Sequence, residues 1–479
     1  MRKYLAIILG VLFILSFAVT AFAGESEITL GGKILIRGWY IENVGTSSVT
    51  VDPPGPPPPV TLLGSTNLPI DTHSVSSGTP PVVTTTDQSS QALYTTNAYI
   101  TIDAKVNDNV RGFMELETTV GGSGNANTGL FYWGGGEDTK PASDLFFRQL
   151  WIQYTGSGLL GVPSGIKAGH MPITLGEKQF LNNERFGDDG ILLWIDPTKE
   201  LHLALGTAKL EEGTTTLGLI NNTDDIDGYL LIGTYKLDKD NTLGANYTWI
   251  HSDGLDSPAT VDDLNLHNIG LHANGKVSGL TYAAEADIQF GKRENLLGIE
   301  DEDFGGWAIF AKLGYMLDPV NIRASFAYGS GDDDLADSDI EEFQTLQGPD
   351  AIGPLARWVH YTQIYERTIR TTAQDQMTGT SRNTNIANTT YYNLGFDVSP
   401  TKELSLSLDG FLIYASETAE DVSDKAGSEL DFKATYKFAK NLSYFIEAAG
   451  FWPGDYYDDQ YGIDSKTVTQ LVHGICLTF

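Results

Sequence analysis

Charged side chains alternate with apolar ones along many short stretches of this chain. Glu115 and Glu117 flank a leucine, and Glu285 and Asp287 flank an alanine. A two-residue period places such charged side chains on one face of a strand and the apolar ones on the other. Carboxylates, amines and guanidinium groups grouped in this way attract or repel dissolved ions. The predicted chemistry is therefore the selection of small charged species.

The apolar phase of each strand predicts which charged side chains share an enclosed face. If the apolar phase meets lipid, the opposite phase lines an interior that must hold water, because a lipid-facing charge costs up to about 2–4 kcal/mol at mid-depth. The predicted inward bases are Lys33, Arg37, Lys105, Arg111, Lys167, Lys236, Lys276, Lys312, Arg323, Lys433 and Lys437. The predicted inward acids are Asp103, Glu115, Glu117, Glu285, Asp287, Asp397, Asp409, Glu429, Asp431 and Glu447. The two groups nearly balance, so a wet channel of mixed charge is expected.

Signals for catalysis and for bound cofactors are missing from the sequence. There is no G-x-S-x-G, P-loop or H-E-x-x-H motif, and no G-x-G-x-x-G follows a strand. The single cysteine, Cys476, excludes an internal disulfide and a Cys-based zinc or haem site. Acidic loops at 332–342 and 455–459 offer the oxygen ligands that Ca²⁺ takes, but no spacing fits an EF-hand and solvated loops are favoured. We therefore predict no enzyme, no cofactor and no metal.

Export is predicted by the first residues of the chain. Arg2 and Lys3 precede an apolar run from Leu5 to Val19, and an A-x-A site ends at Ala23. Residues 1–23 are therefore predicted to be a secretory signal peptide. No later apolar run approaches the roughly 20 residues of a spanning helix, so the chain crosses a membrane only if it does so as strands. The net charge of −32 argues against nucleic acid.

The remaining residues, 24–479, are expected to form about eighteen strands. Short turns such as NDN, PTKE, KDN and VSG recur at every second junction, and long polar loops occupy the others. The last strand, in KTVTQLVHGICLTF, places an aromatic residue on its apolar phase, and 191–196 is the predicted sixth strand. Unequal ends of this kind are typical of an all-β, transmembrane, antiparallel up-and-down barrel with short periplasmic turns and long extracellular loops.

Two of the long loops stand apart. Residues 43–90 contain the run PPGPPPP and are expected to be extended or disordered. Residues 330–388 contain PLARWVHYTQIYERTIR, in which aromatic residues recur at helical spacing. Its arginines are Arg357, Arg367, Arg370 and Arg382. A solvated helix over the barrel mouth and a constriction folded into the barrel are both compatible with this pattern.

One segment carries a family resemblance. FRQLWIQY and then GIKAGHMPITLGEKQFLNNERFGDDGILLW resemble the central part of alginate-export-like outer-membrane porins. The resemblance implies an eighteen-stranded barrel, monomeric and not trimeric, whose pore is lined by basic residues. Arg148, His170, Lys178 and Arg185 occupy the matching positions. The apolar phase around Arg148 leaves two options: it snorkels at the outer interface, or a bulge switches the phase.

These patterns predict a passive diffusion channel for small hydrophilic or charged solutes, integral to the outer membrane of a Gram-negative bacterium. The expected partners are membrane lipid, lipopolysaccharide and the solutes or ions themselves. Two alternatives stay open. The barrel could be the sheath of a porin–cytochrome electron conduit, whose cytochromes would be separate proteins. It could also export an anionic polysaccharide, although the mixed charge of the interior argues against a polyanion.

Overall fold

The computed structural model describes most of the chain after the predicted signal peptide. The described residues are 26–51, 60–68, 82–85, 90–120, 131–133, 143–158, 161–211, 226–252, 261–295, 300–334, 337–347, 361–369, 386–461 and 464–479. The predicted signal peptide and the proline run at 53–59 lie outside them.

Eighteen antiparallel strands form the wall of the molecule. In chain order they are β1 Glu27–Glu42, β2 Ser90–Lys105, β3 Val110–Val120, β4 Ser143–Gly156, β5 Ser164–Thr174, β6 Leu181–Ile195, β7 Leu201–Glu211, β8 Ile226–Lys236, β9 Thr242–Ser252, β10 Val261–Val277, β11 Leu280–Asn295, β12 Trp307–Leu317, β13 Val320–Gly329, β14 Thr389–Val398, β15 Leu404–Tyr414, β16 Lys425–Ala439, β17 Leu442–Pro453 and β18 Val468–Thr478.

The sheet closes on itself through its first and last strands. β1 pairs with β2 on one side and with β18 on the other, from Lys33 opposite Thr478 to Glu42 opposite Thr469. Closure leaves no open edge, so the backbone groups of the wall satisfy one another without water. The predicted fold class, an antiparallel β-barrel of about eighteen strands, is confirmed.

The outer face of the barrel is apolar. Leu205, Leu231 and Leu271, on three different strands, are each more than half exposed, at 55%, 56% and 58%. Leu243, on the strand between the last two, is also exposed, so the apolar surface runs across neighbouring strands and suits contact with lipid. Among the described residues, no helix is both long and apolar enough to cross a membrane.

Tight turns join the strands at one end, here called the short-turn end, while the opposite end is called the long-loop end. The repeated PTKE sequence makes the same turn twice: Thr198 Oγ1 and Thr401 Oγ1 each accept backbone N–H groups two and three residues on, at 3.2 and 3.1 Å. In another turn the Asp238 carboxylate accepts the backbone N–H of Asp240. That bond lowers the pKa of Asp238, because it stabilises the ionised form.

The structure adds elements that the sequence did not indicate. β6 begins ten residues earlier than predicted, at Leu181. Within the proline-rich loop, Gly45–Val51, Val60–Leu68 and Val82–Thr85 pair into a small sheet of their own. At the long-loop end, a short helix α1 occupies Asp455–Tyr461. In the stretch whose aromatic residues recur at helical spacing, a single π-helical turn spans Tyr365–Ile369. Short strand segments at 131–132, 302–304, 339–340 and 346–347 complete the sheet.

A histidine bridges the closing seam on the outer face. His473 of β18 has both ring nitrogens within hydrogen-bonding distance of tyrosine hydroxyls, Tyr444 on β17 at 3.1 Å and Tyr94 on β2 at 3.3 Å. To reach β2 the ring lies across β1, directly over Gly38, where a Cβ atom would overlap it. The missing side chain at Gly38 therefore makes room for the bridge.

We predict that Gly38→Ala destabilises the barrel, because it displaces His473 from both hydroxyls. Since each hydrogen bond contributes about 1 kcal/mol, the expected loss in the free energy of unfolding is about 1–2 kcal/mol. Urea unfolding, followed by the heat-dependent shift in electrophoretic migration, measures it. The matched control is Gly410→Ala, on the outer face of β15, where an added Cβ meets no atom closer than 3.9 Å. Equal losses in the two variants would disprove the role of the bridge.

Candidate functional site

The side chains predicted to line a pore all occupy the inward phase of their strands. Arg111 is opposite Lys105 and bonds Asp103, while the alternate residues of the same strands belong to the exposed apolar surface. The full set placed on the inward phase by the register is Lys33, Arg37, Lys105, Arg111, Glu115, Glu117, Lys167, Glu285, Asp287, Lys312, Arg323, Asp409, Lys433 and Glu447. Their part in conduction stays a prediction.

Some inward-facing side chains of the barrel wall are exposed to water, and others are buried. The inward side chains of Lys105 and Lys433 are each 53% exposed, and that of Arg111 is 46% exposed. Glu285 and Glu429 are also inward but are only 2% exposed. Charged side chains that face inward and still contact solvent require a water-filled space, so the barrel is not packed throughout.

A set of cations lies against aromatic rings on the inner face of β1–β5, and we call it the basic–aromatic sector. It comprises Lys33 and Arg148 over Tyr99, Arg37 over Trp39, Arg111 over Phe113 and Trp151, and Lys167 over Trp151. The closest contact places Lys167 Nζ 4.0 Å from the centroid of the Trp151 ring. Attraction between a cation and the face of a ring holds these side chains in place.

Arg148 occupies a β-bulge. The pairing of β3 with β4 shifts between Glu115 and Leu116, which makes Arg148 the extra residue of the bulge and turns its side chain inward. There its guanidinium binds Glu115 at 2.7 Å and lies 3.9 Å from Glu117. Of the two options that the sequence left open, the bulge is therefore the one observed. Because Arg148 is buried, removing it would leave two acids buried without their cation.

The other residues of the resembling segment are distributed differently from what the resemblance implied. His170 pairs with Leu150, an outward residue, and its Nδ1 lies 3.0 Å from Asp189. It is therefore on the outer face and does not line the interior. Lys178 lies in the connection between β5 and β6 and forms an ion pair with Glu184. The side chain of Arg185 lies outside the described residues.

On the opposite wall, the cations are tied to acids. The Arg323 guanidinium on β13 contacts Asp397 at 2.6 Å and Asp409 at 2.9 Å, so one cation holds carboxylates from β14 and β15. Lys433 on β16 binds Glu447 on β17 at 2.6 Å. The contacts of Arg323 with its two carboxylates are fork-shaped, and such contacts fix the geometry of the guanidinium. The wall from β13 to β17 is thus cross-linked by charge.

Three chain segments fold from the long-loop end into the barrel. They are the loop 175–180 between β5 and β6, the stretch 339–347 after β13, and the segment 361–369, which we call the inward segment. Phe180, Phe343 and Ile364 are fully buried in one apolar cluster. The first two segments are joined directly, because the backbone N–H of Leu346 donates to the carbonyl of Phe180 at 2.7 Å. Apolar packing therefore fills part of the interior.

The first of these segments is anchored on a wall carboxylate. Glu285 on β11 accepts the backbone N–H of Glu177. The approach is so close that a Cβ at Gly176 would overlap the Glu285 carboxylate, and Gly176 also has a positive φ of 53°. Both observations favour glycine there.

The inward segment is anchored in the same way on β16. Glu429 accepts the backbone N–H groups of Ile364 at 2.6 Å and Tyr365 at 2.8 Å, and Asp431 accepts that of Gln363 at 3.1 Å. Sequence reasoning placed both acids on the inward face but did not find this role. The only signal was the i, i+2 spacing, which does not reveal the partner.

The four arginines predicted to form a constriction belong to the long loop that follows β13. Arg357, Arg370 and Arg382 lie outside the described residues, as does the side chain of Arg367. What is described is their neighbourhood: Tyr361 stacks on Tyr391 of the wall, with ring centroids 4.4 Å apart. In the described part of the chain, no group of three or more His, Cys, Asp or Glu side chains is placed to hold a metal ion.

Several solved outer-membrane porins share this architecture. Pseudomonas aeruginosa OccK8 (OprE) is 12% identical, with a TM-score of 0.51 over 96% of this chain and 99% of that chain. A BenF-like porin from Pseudomonas fluorescens Pf-5 is 12% identical, with a TM-score of 0.50 over 94% and 98%. A variant of OccD1 (OprD) gives 12% and 0.50 over 96% and 97%. At such identity the likeness shows the fold.

Sequence comparison gives the family. No curated protein sequence matches the chain. The family model described as alginate export matches residues 74–470, which is most of the length. The chain therefore belongs to the alginate export family.

Proposed function

We propose that this protein is a passive diffusion channel of the outer membrane for small hydrophilic or charged solutes. The observation that carries the proposal is a closed barrel, apolar outside, whose inward charged side chains remain exposed to water. A structural wall would have no use for such groups, since they are costly to place in a sealed core. The porin fold that it shares with the OccK8 and BenF-like structures supports the same function. No catalytic step is proposed.

Conductance of the purified protein in a planar bilayer tests this function. We expect stepwise, ohmic ion currents from single molecules. Conduction by monomers, established by cross-linking before reconstitution, is part of the proposal. An assembled, heat-modifiable barrel that carries no current would favour the alternative of a sheath around a separate cytochrome.

Ion selectivity is proposed to arise in the basic–aromatic sector. Lys167→Glu should shift the reversal potential toward cation preference, because a unit charge 4 Å from a permeating ion is worth about 1 kcal/mol in water, or about fivefold in local ion concentration. Lys312→Glu makes the same change in charge on the inner face of β12, outside the sector, and is the matched control. Equal shifts in both variants would show that the sector has no special role.

The arginine-rich part of the long loop is proposed to add an anion filter. Replacing Arg357, Arg367 and Arg370 by Ala should also shift the reversal potential toward cation preference and change the conductance, because guanidinium groups over a narrow aqueous path attract anions. The measurement belongs in low salt, where screening is weakest. Wild-type values for both quantities would mean that these arginines lie away from the ion path.

Export of an anionic polysaccharide is the second candidate function. The family match and the row of cations along β1–β5 favour it. An oligouronate added to the bilayer chamber should block the current, whereas an uncharged oligosaccharide of equal length should not. Trp151→Leu should weaken the block by about two- to thirtyfold, the equivalent of a cation–π contact of about 0.5–2 kcal/mol beneath Lys167. Trp307→Leu, on the outer face, is the control, and an equal effect there would exclude this reading.

A further inference from the structure

We propose that the inward segment 361–369 is held by a proton-controlled latch: Glu429 and Asp431 keep it docked while they share a single proton, and a second proton releases it. We call these two residues the latch pair. Only the expected effect of this release on the ion current rests on the proposed channel function.

The latch pair contacts the segment through backbone groups. Three consecutive N–H groups, from Gln363 to Tyr365, donate to the two carboxyl groups at 2.6–3.1 Å. Glu429 and Asp431 are only 2% and 6% exposed. Among the described residues, neither forms an ion pair with a lysine or arginine, although Arg323 and Lys433 lie on the same wall. The charge of the pair is therefore balanced by N–H dipoles.

The two carboxyl groups lie side by side, because Glu429 and Asp431 stand two residues apart on the inward face of β16 and bind consecutive N–H groups of one segment. Two ionised carboxylates buried side by side would repel strongly, so one of them holds a proton. The docked state therefore contains one proton and one negative charge. Hydrogen bonds to an ionised acceptor are roughly twice as strong as those to a neutral one. A second proton removes that charge, so acid weakens the backbone contacts made by the ionised carboxylate.

The other titratable and charged groups around the latch pair do not hold the inward segment in its place. They are Asp409 on β15, Arg323 on β13, Lys433 on β16, Glu447 on β17, Tyr391 on β14, Tyr457 on α1, and Tyr361, Tyr365 and Glu366 on the segment itself. Asp409 and Glu447 are already bound to cations. Glu366 contacts the segment's own backbone, at Tyr361 N. The latch pair is thus the acidic group of the described wall that bonds the segment directly.

The other anchored loop supports this interpretation. Glu285 and Asp287 on β11 also stand at i, i+2 on the inward face and are buried. Glu285 likewise accepts a backbone N–H from a loop that enters the barrel, at Glu177. The same device thus occurs twice on separate strands, each time where an inward loop meets the wall.

Release is measured through the accessibility of position 364. Ile364→Cys is introduced in a Cys476→Ser background, and its modification by a charged thiol reagent is followed at a fixed pH of about 7. The double change Glu429→Gln and Asp431→Asn imitates the fully protonated pair, and we expect it to speed modification about tenfold or more. Glu447→Gln, which removes one inward acid outside the latch, is the matched control and should leave the rate unchanged.

Hydrogen exchange of the chain with its latch pair intact gives a second measurement that does not depend on those variants. After correction for intrinsic rates, the amides of 361–369 should exchange faster at about pH 4 than at about pH 7, a range that includes carboxyl protonation. The amides of β15 should not change. Equal protection at both pH values, or equal cysteine modification in the latch variant and its background, would overturn the proposal.

Current recordings separate this inference from the channel function. If the segment obstructs the path, the conductance of the protein with the latch pair intact rises as pH falls, and the double variant is high and insensitive to pH. Faster labelling in a barrel that carries no current would keep the latch and reject the channel. Normal currents with unchanged labelling would keep the channel and reject the latch.

Discussion

The rest of the structure depends on the pairing of the first strand with the last. In lipid, a backbone N–H or C=O group without a partner costs several kcal/mol, so a sheet can cross the membrane only when no edge remains. The register from Lys33 to Glu42 against β18 meets that requirement. It also fixes which residues face inward, because a shift by one residue would exchange the two faces of the strand. The charged interior is therefore a consequence of closure as much as of composition.

Inside the closed wall, charged side chains are stabilised in two different ways. On β1–β5, cations rest on aromatic rings and point toward the space inside. On the opposite side, cations bind acids of neighbouring strands, and two buried pairs of carboxyl groups accept backbone N–H groups from loops instead. The docking of a loop on a carboxyl pair lowers the free-energy cost of burial in two ways at once. It gives hydrogen-bond partners to the backbone N–H groups of the loop, and it stabilises the buried charge of the pair.

Much of this could be predicted from sequence, because a barrel wall has a strict two-residue period. The barrel fold and the resemblance to alginate-export-like porins are confirmed. The strand register also places Arg37 and Lys312 on the inward phase, while their part in a pore stays a prediction. The orientation of the Arg148 side chain could not be predicted. One extra residue in a bulge reverses the alternation of inward and outward side chains, and no residue type marks where that residue lies. His170 was misplaced because the resemblance identified the segment but not its register. The docking of Ile364 on Glu429 joins residues 65 apart, which no local pattern reveals.

The way the inward segment is attached has a further consequence for how this protein can change over generations. Its three anchoring contacts use N–H groups that every residue except proline possesses. The half-buried side chain of Gln363 takes no part in these contacts and can therefore be exchanged, whereas Ile364 and Tyr365 are also held by their burial in the apolar cluster. A lineage could therefore change the partly exposed side chains of the segment without first rebuilding its backbone attachment. The position of the segment and the chemistry of its surface can thus evolve separately.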